Sequence, residues 1–420
     1  VIASARPALD EGMLKAMATA LGGDAGQVSR RVAALARYET AAEPDRVRHL
    51  WRFTNPALLL PLSLAGTPAA GAVPASAAPV AGASATIDLW PGRAPAVQTA
   101  DDLPVGALVF TAADEPFPGG KALPSDLFGA LGDAAWNTGV GLKVADGVKL
   151  VGPIHVRVHA SAAASLPRLR LEVGRNAEAM LVEQHIGGGP DVRVVGRTVI
   201  SAGEGAHVRH AVVQVWESGT CGHLAVETQV GADADILTVC GVFGGEDTKL
   251  ELRTDLAGAG AHSEIIGVAL LAGKQHADVH TSHRHLSDHT SSRIDYKTVA
   301  GQQARSTYTG LIRIEDRATH CEAYQENRNL LLSSRARADA IPELEIHNQE
   351  VSCSHGATIA PVDPEQLFYL GSRGLDAHEA MGLVVRGFLE NTLAKLPDDA
   401  RAMVETFTAP RLATIREGTA

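Results

Sequence analysis

Four short stretches decide the fold: GRNAEA at residues 174–179, GEGAHV at 203–208, GADADI at 231–236 and GAGAHS at 258–263. Each opens on Gly, carries Ala at its fourth place, and begins 29, 28 and 27 residues after the one before. A weaker form returns at Gly301 (GQQARS), Glu315 (EDRATH) and Ser333 (SSRARA). A near-constant period with Gly at a turn and Ala in a tight corner is what a β-solenoid needs, because each coil stacks on the next and buries a continuous Val/Ile/Leu ladder. Between the turns, short runs alternate with period two. His155, Arg157 and His159 stand against Val156 and Val158, and Glu251 and Arg253 against Leu250 and Leu252.

Outward from this core the period becomes helical. Ala8, Leu9, Met13, Leu14, Met17, Ala18 and Leu21 recur at helical spacing, and Val28, Val32, Leu35 and Ala36 do so again after Gly22-Gly23. Residues 65 to 100 are dominated by Ala, Pro, Gly and Ser and read as a meandering surface segment. Ser125 to Ala135 reads as a short amphipathic helix. After Pro361, Glu365 to Gly371 gives one helix, and Asp376 with Glu379 is a capping-box signature for a longer one carrying Ala380, Leu383, Val384, Phe388 and Leu389. A further helix is expected from Asp398. The expected division is a helical and Ala/Pro-rich region over 1–139, a solenoid core over 140–361 and a helical domain over 362–420 whose helices cap the solenoid end.

Composition narrows the function classes. Apolar residues make 45% and charged residues 20% of the 420, while aromatics are only 4%, so the core must be built from Ala, Val, Leu and Ile. A formal net charge of -11 disfavours nucleic acid and anionic membranes as partners. The four cysteines, Cys221, Cys240, Cys321 and Cys353, are too few for a disulfide scaffold and none forms a CxxC pair, which fits a reducing cytoplasm. No apolar run approaches the roughly 20 residues a membrane helix needs, and no basic-then-apolar leader pattern is seen. GxxxxGK[ST] and GxSxG are both absent, so neither a phosphate-cradling loop nor a nucleophile elbow is expected.

The densest unusual chemistry lies at the end of the run from Ala323 to Thr358. Cys353 and His355 are two residues apart, so an extended strand presents thiol and imidazole on one face. That is half of a soft-metal site, since zinc or iron takes about four N/S ligands. The remaining donors would come from neighbouring strands or another chain, unless Cys353 is only a small buried hydrophobe and His355 a turn residue. The stretch HADVHTSHRHLSDH, with His276, His280, His283, His285 and His289, admits a metal site but is expected to be a solvated or hydrogen-bonded ladder with several exposed rings. Cys321 reads as structural, and Cys221 and Cys240 as fillers of core corners. Asn327, Arg328 and Asn329 form a polar trio, with stacked Asn as its expected arrangement.

AYQENRNLLLS (323–333), ARADAIPELEI (336–346), CSHGAT (353–358), LFYLGSRG (367–374) and VVRGFLE (384–390), in this order, resemble the C-terminal half of the SufB/SufD family of iron–sulfur cluster assembly scaffolds. The Cys-Ser-His-Gly phrase followed by LFYL and SRG resembles the SufD branch. The likeness is densest over 301 to 395 and extends from about 140, with LFGALGDAAW (127–136) resembling the entry to the central domain. It implies a mainly β fold with a right-handed parallel β-helix core between helical regions. It also implies a non-catalytic scaffold subunit of a SufBCD-type complex, in which Cys353 and His355 supply ligands to iron or a nascent cluster at the junction with a SufB paralogue. The C-terminal helices, through Leu383, Val384, Arg386, Phe388 and Leu389, are implied to dock a SufC-type ATPase, so no nucleotide is expected on this chain. A solenoid edge without its partner would self-pair into a homodimer.

A second class of function fits the same fold. Many parallel β-helices are secreted polysaccharide lyases or hydrolases that use carboxylates along one face, and Asp233, Asp235 and Asp255 are candidates here. The low aromatic content and the absence of a leader pattern weigh against it.

Overall fold

The computed structural model describes residues 6–45, 49–64, 78–115, 126–394 and the single positions 396, 401, 405 and 408. Helices α1 (Glu11–Ala20), α2 (Ala25–Thr40), α3 (His49–Arg52) and α4 (Pro56–Leu59) come first. Strands β1 (Ala85–Leu89), β2 (Ala96–Thr99) and β3 (Leu108–Thr111) and helix α5 (Leu127–Ala135) follow. The first two-strand coil is β4 (Thr138–Val144) with β5 (Ile154–Ala160), and after the short β6 (Ala164–Ser165) the second is β7 (Pro167–Val173) with β8 (Glu178–Gly187). Coils three to five are β9 (Arg193–Ala202) with β10 (His207–Trp216), β11 (Cys221–Val230) with β12 (Asp235–Val242), and β13 (Asp247–Leu256) with β14 (His262–Leu271). The last three are β15 (His276–His285) with β16 (Ser291–Ala300), β17 (Arg305–Ile314) with β18 (Cys321–Leu331), and β19 (Arg337–Ile346) with β20 (Val351–Pro361). Helices α6 (Pro364–Ser372) and α7 (Ala377–Leu393) close the described chain.

The second strands of the coils stack as sheet A in the order β5-β8-β10-β12-β14-β16-β18-β20, and the first strands as sheet B, β4-β7-β9-β11-β13-β15-β17-β19. Pairing within both stacks is parallel and in register, as a β-solenoid requires. Inward-facing rows therefore run along the whole stack. One row reads Ile154, Leu181, His210, Thr238, Ile265, Ile294, Gln325, His355. Each fully buried Val, Leu or Ile in such rows contributes about 1.5–3 kcal/mol.

The corner from sheet B to sheet A is the one marked by the repeat. Its third residue takes the left-handed conformation, with φ of 52° at Asn176, 65° at Gly205, 52° at Asp233 and 71° at Gly260. The following Ala177, Ala206, Ala234 and Ala261 are at most 1% exposed. Each left-handed residue donates its N–H to the turn of the next coil: Asn176 to Glu204, Gly205 to Ala232 and Asp233 to Ala259 at 2.9 Å, and Gly260 to Asp288 at 3.1 Å. A Cβ on Gly205 would lie 2.3 Å from Oδ1 of Asn176, and one on Gly260 2.2 Å from Oδ1 of Asp233. The side chain on one rung thus fills the space that glycine leaves on the next.

Several expectations are corrected. The turns at Gly301 and Ser333 lie at the opposite corner, between β16 and β17 and between β18 and β19. The marked corner instead passes through Ser287-Asp288-His289-Thr290, where buried Thr290 takes the place of Ala and escapes a Gly/Ala pattern. In the segment read as a surface meander, β1 is fully buried, because it pairs with β5 and its Asp88 receives Arg157 at 2.6 Å and His159 at 2.8 Å. Residues 65–77 of that segment, and almost all of the helix expected from Asp398, lie outside the described residues. On α2 the buried stripe is Gln27, Arg31, Ala34, Leu35 and Tyr38, not one through Val28 and Val32. Arg31 is held there by the Ala134 carbonyl at 3.0 Å and the Trp136 ring at 4.2 Å.

Helices α1 to α5 pack on the outer face of sheet B, with Leu14, Tyr38, Trp51, Leu59 and Phe128 against Val195 and Cys221. Polar contacts pin them: Lys249 Nζ donates to the Leu50 carbonyl at 2.6 Å and pairs with Asp278 at 3.1 Å, and the Thr54 hydroxyl donates to Asp278 at 2.6 Å. Among the described residues, α6 and α7 do not cap the stack end as expected. Val385, Leu389 and Leu393 of α7 lie along the outer face of sheet A, against Val239, Ile266, Val268 and Val299. Thr392 donates to Asp295 at 3.2 Å and Lys297 to the Phe388 carbonyl at 2.6 Å.

Gly260→Ala is expected to cost at least about 1–2 kcal/mol, because an L side chain is strained in the left-handed region and here also meets Asp233. Asp233→Gly/Gly260→Ala should recover part of it, measured as denaturant midpoints. Asp133 of α5 gives a pH test. Burial alone would raise its pKa, but Arg168 and Arg197 outweigh burial and hold it at about 2. Its contribution is complete above the ordinary carboxylate range near pH 4 and is lost as pH falls toward 2. Asp133→Asn should therefore lose about 2–3 kcal/mol at pH 7, and its urea midpoint should converge with that of the parent protein at the acid end.

Candidate functional site

Sheet A ends at β20 and sheet B at β19, and among the described residues no strand pairs beyond either. Both strands are mostly half-buried or exposed along their length, unlike the strands of the preceding coils. The interior changes character as it approaches this open end. Below it the rows hold Ile294, Tyr296 and Thr298; in the next coil they hold Gln325, Asn327 and Asn329. The Gln325 amide donates to the Gly310 carbonyl at 3.1 Å, Asn327 to the Tyr296 carbonyl at 3.1 Å, and Asn329 to the Thr358 carbonyl at 3.1 Å. The Asn pair is not stacked from coil to coil as expected. Asn329 donates to Asn327 along the same strand at 2.6 Å, and each also ties to a neighbouring coil.

Cys353 and His355 extend these inward rows onto β20, Cys353 opposite Ala323 and His355 opposite Gln325. Cys353 is half-buried against Ile312, Ile314, Ala318, Cys321 and Ala323. Burial, with the Cys321 thiol nearby, pushes its pKa above the ordinary thiol value. His355 is exposed. Sequence and structure thus agree that thiol and imidazole share a strand face, and the structure sets that face at the mouth of the interior. Their neighbourhood continues inward through polar atoms: Cys321 Sγ lies 3.2 Å from Thr290 Oγ1, Thr290 Oγ1 2.8 Å from His285 Nδ1, and His285 Nε2 2.9 Å from Ser292 Oγ.

The histidine-rich run is strand β15, and this corrects the expectation of exposed rings. His280, His283 and His285 are buried and only His289 is exposed. His283 and His285 face inward, His283 bonding Ser263 at 3.0 Å, and burial holds their pKa values at about 3 and about 4, so both are neutral at pH 7. His280 faces the N-terminal helices and bonds Asp278 at 2.7 Å. Among the described residues, no three His, Cys, Asp or Glu side chains converge as they stand to hold a metal ion. Cys221 and Cys240 are buried as expected, although Cys240 lies within β12 rather than at a corner. Asp255 pairs with Arg284 at 3.3 Å on sheet B, while Asp235 opens β12 on sheet A, so the carboxylates Asp233, Asp235 and Asp255 line no common face.

The residues expected to dock an ATPase separate on α7. Leu389 is 1% exposed and faces sheet A, and half-buried Phe388 packs beside it, so Leu389 is withdrawn from any docking surface. Leu383 (51% exposed) and Arg386 face outward on α7, and Phe368 (80%) and Tyr369 (56%) are exposed on α6. Val384 and Leu383 line a cavity with Tyr369 and Leu370 between the two helices. Two features were missed by sequence reasoning. Phe368 and Tyr369 lie in LFYLGSRG on the short helix α6, and neither is buried. Pro342 in ARADAIPELEI marks β19 as an edge strand, since proline is excluded from central strands.

The family model for the SufBD core domain of the SUF system for FeS cluster assembly matches residues 156–388. An iron-sulfur cluster assembly SufBD family protein of Mycobacterium tuberculosis is 29% identical over 292 residues, covering 67% of this chain and 73% of that protein. The iron-sulfur cluster assembly protein SufB of Bacillus subtilis is 28% identical over 283 residues, 66% of this chain and 61% of its own. A SufBD family protein of Mycobacterium leprae is 33% identical over 192 residues, 46% of this chain and 22% of its own. Among the described residues no helix is long and apolar enough to cross a membrane.

The division of α7 into two faces yields a test. Leu389→Ala should destabilise the fold by about 2–5 kcal/mol, whereas Leu383→Ala should stay within about 0.5 kcal/mol, both read from chemical denaturation. Equal effects would contradict the packing described.

Proposed function

Since the chain belongs to the SufBD family of the SUF iron–sulfur cluster assembly system, we propose that it is the SufD-type scaffold subunit of a SufBCD-like complex. The observation that carries this reading is the placement of Cys353 and His355 on the last coil among the described residues, in the inward rows that a further coil would continue. Two donors cannot complete a soft-metal sphere. A SufB-like paralogue abutting β19 and β20 would supply the rest, so iron or a nascent cluster is cargo shared across the junction. Burial raises the pKa of the Cys353 thiol, so metal binding there must displace its proton, and the exposed His355 imidazole beside it is the second donor. In the absence of the paralogue, two copies of this chain would pair through the same end.

The outward patch of Phe368, Tyr369, Leu383 and Arg386 is the proposed seat of a SufC-like ATPase, which brings nucleotide chemistry that this chain's sequence lacks. The scaffold itself is not an enzyme in this reading. The negative net charge suits a cytoplasmic assembly with neither nucleic acid nor membrane as partner.

His355→Ala is expected to abolish or strongly reduce cluster formation in the reconstituted complex, while circular dichroism and co-purification of the three subunits stay unchanged. Cys353→Ser should act in the same direction, less completely. Full cluster assembly by the His355→Ala complex, followed by its visible absorption, would refute the shared-ligand role.

A further inference from the structure

The outer side of the marked corner holds a second grouping of donors, separate from the inward-facing Cys353 and His355. His289 and His320 occupy left-handed positions on successive rungs, with φ of 57° and 53°, where earlier rungs carry Asn176, Gly205, Asp233 or Gly260. The left-handed corner turns both side chains out of the sheet on neighbouring rungs, as it does Asn176 and Asp233 lower in the stack. The backbone fixes their spacing. The His289 N–H donates to the Thr319 carbonyl at 2.9 Å and the His320 N–H to the Glu350 carbonyl at 2.7 Å.

The two rings stack, with centroids 4.9 Å apart and planes inclined by 26°. Carboxylates flank them. Glu350 Oε2 lies 3.8 Å from His320 Nε2, with both side chains more than half exposed. Asp288 is oriented by the Thr319 N–H at 2.8 Å and hydroxyl at 2.9 Å, both donated to Oδ1, and its charge acts on both imidazoles. We propose that His289 and His320, with Glu350 and Asp288 completing the donor set, bind one divalent transition-metal ion on the outside of this corner.

The chemistry of the set supports this. Two imidazoles and two carboxylates suit zinc, iron(II), cobalt or nickel, and the hard, oxygen-only preference of magnesium or calcium excludes those ions. One rung of parallel sheet separates the residues by about 4.8 Å, within the span of two imidazoles that meet one ion at about 2.0–2.1 Å. The rings stack rather than converge in the metal-free chain, and rotation of exposed side chains on the picosecond to nanosecond scale is enough to turn their nitrogens toward a common point.

Zinc alone is the probe, added to the full chain at neutral pH and followed by isothermal titration calorimetry, with metal content checked after desalting. The expected result is a zinc equivalent whose affinity falls at least about tenfold in His289→Ala and in His320→Ala, since even outer-shell partners of metal ligands are worth 10–100-fold. The same equivalent should persist in Cys353→Ser/His355→Ala, which separates this site from the proposed cluster site. Circular dichroism of each variant guards against loss of fold. Absence of zinc binding by the parent chain, unchanged affinity in His289→Ala/His320→Ala, or loss of the equivalent only in Cys353→Ser/His355→Ala would each overturn the proposal.

Discussion

In-register stacking of one coil on the next is the constraint on which everything else in this protein rests. A parallel coil has no hairpin to set its register, so the corner must do it. Here the left-handed residue of each turn donates its N–H to the turn above, from Asn176 through Gly205, Asp233, Gly260 and His289 to His320. A slip by one residue would break that column of hydrogen bonds and turn every inward row outward at once. The small residue that follows each left-handed position, Ala177 through Ala261, is what lets the corner close tightly enough for the column to form.

Because the stack is a two-sided object, helices can cover its outer faces as well as its interior being filled. That explains where the sequence was legible and where it was not. The repeat at Gly174, Gly203, Gly231 and Gly258 announced the coils because corner geometry is local. The Asp376–Glu379 capping box announced α7 for the same reason, and both its hydrogen bonds are present. Alternation within strands was a weaker guide: Lys249 and Glu251 lie on the outer side of β13 and are nevertheless buried beneath the N-terminal helices. The histidines of β15 misled similarly, since a polar run in the middle of a solenoid can be held by Ser263 of the preceding coil and by Thr290 and Ser292 of its own. Strand β1 was hidden in an alanine-rich stretch because its stability comes from β5, far away in the chain.

The candidate site was legible to the same degree. The two-residue spacing of Cys353 and His355 put them on one face of a strand, and that holds. Sequence could not say that the strand is the last one among the described residues, or that α7 turns back along sheet A rather than over the end of the stack. That arrangement follows from long-range packing of Val385, Leu389 and Leu393 on strands up to about 150 residues earlier, which no local pattern encodes. It also separates two jobs within one helix: one face holds the fold and the other is left for contact.

A stack that stops on an open rung resembles an unfinished fibre, since identical rungs would extend it indefinitely from head to tail. Pro342 and the acidic pair Glu343 and Glu345 sit in the middle of that last rung. Proline has no N–H to hand to a further strand of sheet B. The rung is therefore a poor template for one more strand of the same sheet. Lengthening the stack by one more coil would leave that coil's ladder broken at its centre.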